Sequence, residues 1–122
     1  MDLTVPNADE VRDFYSAVAG WTVAPVDMDG YQDYCMVPRG AQVPVAGICH
    51  ARGENAHLPA QWLIYISVVD LRASLDVALA KGGRIVAPAR EMAGGKMAVV
   101  QDPAGAVAAL FQPPAAAATT AQ

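Results

Sequence analysis

The side chains best suited to hold a metal or to move a proton near neutral pH are few: Cys35, Cys49, His50 and His57. Cys49 and His50 are adjacent in sequence. On an extended strand, neighbours point to opposite faces, so this pair cannot act as nucleophile and base on one substrate. His57 sits in a polar stretch with glycine and proline. Asp2 and Asp33 complete the set of metal donors, and their spacing shows no convergence on one ion. The pair Gly94-Gly95 lacks the strand–loop–helix setting and the following Lys-Ser or Lys-Thr of a phosphate loop, so it reads as a hairpin turn. No Ser-His-Asp or Cys-His nucleophile arrangement is present. His50 is therefore the candidate catalytic residue, as a proton acceptor. The alternative is a histidine that closes a strand end by hydrogen bonding to the turn at 52–55.

The whole chain narrows the setting for such chemistry. It has 122 residues, 54% hydrophobic and 16% charged, which suits one folded domain. Its net charge of −4 argues against nucleic acid as a partner. No apolar run reaches the roughly 18–20 residues that span a bilayer. No basic stretch followed by an apolar run opens the chain, so no secretory signal is expected. Two cysteines without an export signal read as buried thiols in a reducing, cytoplasmic setting.

Positioning falls to a repeated order of elements. Residues 2–5 alternate as a strand. Asn7, with Glu10 three residues on, predicts a capping box for a helix from about Ala8 to Ala19. Its apolar stripe is Val11, Phe14, Tyr15 and Val18, and Gly20 stops it. Strands are predicted over 22–26, 31–37 and 44–51. After a polar linker, 52–61, the order restarts. A strand covers 62–69, Asp70 caps a helix that begins at Leu71, and strands follow at 84–88, 95–101 and 106–112. Sliding one half onto the other by 63 positions superposes Val5 on Val68, Asn7 on Asp70 and Gly20 on Gly83. We read an internal duplication of a βαβββ unit, an α+β fold, within a single domain of residues 1–112. The units span 1–51 and 62–112. The tail 113–122 is low in complexity and is expected to stay flexible.

The stretches 13-DFYSAVAGW-21, 82-GGRIV-86 and 102-DPAG-105, on two βαβββ units, resemble the vicinal oxygen chelate superfamily. That superfamily includes glyoxalase I, bleomycin-resistance proteins and extradiol dioxygenases. The resemblance implies that each unit curls its strands into half of an open cup with the helix outside. It puts Leu3, Val5, Ile64, Ile66 and Val68 beneath the helices, and Asp2, Thr4, Leu63, Tyr65 and Ser67 inside. It also implies where metal ligands would fall: before Met1, and on Leu63, Ile48 and Ala109. A one-residue error would bring in Trp62, Cys49, Ala108 or Leu110. The expectation is no metal and no cofactor. His50 shares a strand face with Ile48, so it too is expected in the cup. The expected ligand-binding residues are Asp2, Thr4, His50, Tyr65, Ser67 and Phe111, around a small organic molecule. The resemblance implies a binding protein, with a metal-independent isomerase, lyase or hydrolase using His50, Asp2 or Tyr65 as the alternative. A metal-dependent glyoxalase or dioxygenase fits less well. A homodimer is expected.

Overall fold

The computed structural model describes residues 1–115. The first half contains β1 (Asp2–Val5), α1 (Ala8–Ala19), β2 (Thr22–Asp27), β3 (Gln32–Val37), β4 (Ala46–His50) and a single 3-10 turn, Gly53–Asn55. Then follow β5 (Trp62–Leu63), β6 (Tyr65–Ser67), α2 (Leu71–Ala80), β7 (Arg84–Met92), β8 (Gly95–Gln101) and β9 (Val107–Gln112). The fold is α+β, with two tandem βαβββ units and two mixed sheets. By contact the chain divides into two compact units, Met1–Trp62 and Leu63–Gln122. Most of the tail, 116–122, lies outside the described residues.

In the first unit the strand order is β2-β3-β4-β1, continued by the short β5. β1 runs parallel to β4, whereas β2–β3 and β3–β4 are antiparallel. The second sheet repeats the plan as β7-β8-β9-β6, with β6 parallel to β9. The helix after the first strand of each unit makes the parallel return possible, because parallel strands need a long crossover.

Each unit builds its own core under its helix. Leu3, Val5, Tyr34, Met36, Ala46 and Ile48 are buried together, with Val11, Tyr15, Trp21 and Trp62 packed against them. Tyr15, Trp21 and Trp62 form an aromatic corner, and the Trp62 indole N–H donates to the Tyr15 hydroxyl at 3.0 Å. In the second unit Leu71 and Leu75 of α2 pack on Ala98 and Leu110.

Three local details differ from the sequence reading. Asn7 does not cap a backbone N–H; its side chain donates to Glu10 Oε1 at 2.7 Å instead. Phe14 and Val18 are exposed, because α1 turns Ala8, Val11 and Tyr15 to the core. The stretch 62–69 is not one strand. Trp62–Leu63 belongs to the first sheet and Tyr65–Ser67 to the second, with Ile64 between them giving its carbonyl to the Ala109 N–H at 2.9 Å.

Gly95 opens β8 beneath the last strand. A Cβ there would overlap the Gln112 carbonyl oxygen and press on the Phe111 ring at 2.9 Å. Gly95→Ala is therefore expected to cost about 1–3 kcal/mol of stability, since neither backbone nor a packed ring yields cheaply. Urea denaturation with an unchanged midpoint would contradict this packing.

Candidate functional site

Residues directly across a ladder share a face of the sheet. β1 pairs with β4 as Leu3↔Ile48, Thr4↔Cys49 and Val5↔His50. Leu3, Val5 and Ile48 lie in the core beneath α1. Asp2, Thr4, Gly47 and Cys49 therefore occupy the face turned away from the helix, joined by Cys35 opposite Gly47. Asp2 and Thr4 are on the face the resemblance implied. His50 and Ile48 are not. Ile48 is fully buried in the helix-side core, and His50 follows it to that side. The sequence reading set the phase of β4 one residue off.

On the helix side, His50 is held between two carboxylates. Its Nδ1 lies 3.2 Å from Asp33 Oδ1 and its Nε2 lies 3.4 Å from Asp9 Oδ1. The Asp33 carboxylate, on a buried residue, also accepts the His50 backbone N–H at 2.9 Å. It stands where the β3–β4 ladder has ended at Tyr34↔Ile48. Tyr34 donates its hydroxyl to Asp9, and this bond raises the tyrosine above its ordinary value of 10.0. Arg12 lies over the Tyr34 ring at 4.6 Å, and Tyr31 meets the imidazole edge-on at 5.6 Å. Both ring nitrogens of His50 thus face protein carboxylates, and the ring clamps α1 to the sheet. Sequence reading missed Asp9, Tyr34 and Arg12. The signal was there: Tyr34 alternates in phase with Met36, but the register of β3 on β4 was needed to use it.

On the face away from α1 the Cys49 thiol is held neutral. Burial, then the nearby Asp2 and Asp33 carboxylates, Cys35 and a hydrogen bond to Asp33, push Cys49 from 9.0 up to about 12. Neither cysteine is bridged. The Asp2 carboxylate lies against Gly47, where a Cβ would collide with it. Beside it is a hollow of about 250 Å³ lined by Met1, Asp2, Cys35, Pro44, Val45 and Gly47. A carboxylate, one thiol and hydrocarbon can bind by hydrogen bonding and apolar contact.

In the second unit the corresponding face is set by β6 on β9: Tyr65↔Ala109 and Ser67↔Phe111. Met97 and Val99 join it across β8, opposite Phe111 and Ala109. The Tyr65 hydroxyl approaches the Met92 sulfur at 3.8 Å, and Ser67 is exposed. Ile66 lies in register with Leu110 on the helix side, yet it and Ile64 are exposed. The motif 102-DPAG-105 is a turn: Asp102 Oδ1 accepts the Ala104 and Ala106 N–H groups at 2.8 and 3.0 Å.

The donor chemistry does not fit a divalent metal. Among the described residues no three His, Cys, Asp or Glu side chains are grouped to hold an ion. The ligand positions implied by the resemblance carry buried hydrocarbon at Leu63, Ile48 and Ala109. Cys49, not Ile48, stands on the face turned away from the helix.

A family model described as a glyoxalase-like domain matches residues 1–111. The anthracycline biosynthesis protein DnrV of Streptomyces peucetius is 29% identical over 117 residues, covering 86% of this chain and 42% of that protein. The chain thus spans less than half the length of this relative. Among solved structures, a glyoxalase/bleomycin resistance protein/dioxygenase superfamily member from Vibrio splendidus 12B01 has a TM-score of 0.57 at 15% identity, covering 92% of this chain and 95% of that one. Methylmalonyl-CoA epimerase from Mycobacterium tuberculosis has a TM-score of 0.55 at 20% identity, covering 96% and 88%. Both likenesses concern the fold.

The Cys49 environment has a signed pH consequence. Below about pH 9 folded and unfolded chains both keep the thiol proton, and its stabilising effect is whole. As pH rises from 9 toward 12 the unfolded chain releases the proton while the folded chain retains it, so stability falls. Tyr34 adds a slope of the same sign in every variant. Denaturation measured from pH 8 to pH 12 should therefore show a shallower decline in Cys49→Ser than in the wild type. Parallel curves would contradict the burial of this thiol.

Proposed function

The chain belongs to the glyoxalase-like domain family, and from that premise we propose that it binds a small organic molecule without a metal. The observation that carries this reading is the character of the open face of the first sheet. It offers Asp2 and the Cys35 thiol at a small, partly apolar hollow, with Thr4 and Cys49 on the same face, and among the described residues no set of ion-gripping donors. Small-molecule sites commonly combine apolar walls with a few polar handles. In this reading Asp2 is the principal polar contact, with Cys35 beside it in the lining of the hollow. His50 takes no direct part, because its ring is engaged by Asp9 and Asp33 on the other side of the sheet. An acid–base enzyme built on His50 together with Asp2 is therefore the weaker reading.

The same proposal includes a homodimer in a reducing, cytoplasmic setting. The two unbridged cysteines support a reducing environment.

Purified protein should hold no stoichiometric divalent metal by elemental analysis, and a chelator should leave its melting temperature unchanged. In a thermal-shift screen of small organic molecules, any compound that raises the melting temperature should lose much of that effect in Asp2→Asn, since a bound ligand stabilises in proportion to its affinity. Tightly held metal with a chelator-induced drop in melting temperature would reject the metal-free reading. A ligand indifferent to Asp2→Asn would reject the assignment of the site.

A further inference from the structure

We propose that a second site, between α2 and the helix-side face of its sheet, binds a small organic anion with an apolar body. The hollow there measures about 690 Å³. That falls within the roughly 300–1,000 Å³ of small-molecule pockets. It lies wholly within the second unit. Lys96 and Gln112 reach it from the helix-side face of the strands, opposite the face of Tyr65 and Phe111.

Its polar lining is weighted toward donors. Arg72 and Lys96 both border it, and the ion pairs among the described residues involve neither. Gln112 gives its amide oxygen to the Leu71 N–H at 2.8 Å, so its remaining offer is the Nε2 donors. Asp70 also lines the hollow; its Oδ1 accepts the Ala73 N–H at 3.1 Å, and its charge opposes an anion, so the donors must face the ligand from Arg72, Lys96 and Gln112. The helix end itself is not the binding group, because these two caps occupy it. One guanidinium, one ammonium and one amide NH₂ match a carboxylate or a similar oxyanion. Leu75, Ala89 and Val69 supply the apolar wall. Val69 is 96% exposed, a cost that an apolar ligand body would relieve. Glu91 stands directly across the β7–β8 ladder from Lys96 and opposes an anion.

Octanoate is the probe, titrated into the full chain and followed by amide chemical shifts. The expected result is a saturable shift centred on residues 71–75, Lys96 and Gln112. Arg72→Ala and Lys96→Ala should each weaken binding about tenfold, the value of one charge-assisted contact. Glu91→Gln should tighten it, and 1-octanol should bind more weakly than octanoate. All three positions are exposed, so the variants should keep the wild-type melting temperature. The proposal is overturned if octanoate produces no saturable shift below its micelle threshold. It is equally overturned if octanol binds as well, or if Arg72→Ala/Lys96→Ala, folded as the wild type, keeps full affinity. Asp2→Asn should leave this binding untouched, which separates this site from the one on the first sheet.

Discussion

The return of β4 alongside β1 is the constraint on which the first unit depends. Parallel pairing sets Leu3 beside Ile48 and Thr4 beside Cys49. Because strand side chains alternate strictly, that one register decides every face assignment around it. A slip of β4 by one residue would lift Ile48 out of the core and drive the Cys49 thiol under α1. Hydrocarbon burial beneath the helix, with Met36 and Ile48 fully enclosed, makes that slip costly. The open face inherits its chemistry from what the core does not take.

Among the described residues no buried side-chain nitrogen or oxygen is left without a hydrogen-bond partner. Asp33 is 7% exposed, and an unmatched carboxylate there would be strongly destabilising. It accepts the backbone N–H and faces the ring Nδ1 of His50, and it accepts from Cys49. In doing so it completes a ladder that ran out of backbone partners. His50 then carries the link onward to Asp9 on α1, where Tyr34 also ends. Residues with catalytic-looking chemistry are here joining a helix to a sheet. The arginines add ring contacts at the periphery, Arg52 over Tyr31 and Arg12 over Tyr34.

The second unit solves the same topology with different means. Its helix is tied down by caps: Asp70 on Ala73, and Gln112, at the end of β9, on Leu71. Its sheet is lined with Met97, Val99 and Ala109, all buried, where the first unit has thiols and carboxylates. The backbone plan is duplicated; the polar content is not. This is why a fold match alone leaves the chemistry of each face to be argued from its own side chains.

Local physics was enough to read the repeat of strand, helix and three strands. Helix periodicity, the Asp70 cap, the left-handed stop at Gly20 and the Asp-Pro-x-Gly turn are interactions between residues close in the chain, so they show in the sequence. The helix-side burial of Leu3 and Val5, and the hydrocarbon at Leu63 and Ala109, were legible for the same reason. The face of His50, the division of 62–69 between two sheets and the company of Asp33 were not. Alternation says that neighbours oppose each other, but not which set meets the helix. That choice belongs to the pairing of strands more than forty residues apart, as Val5 with His50, and only the folded chain makes it.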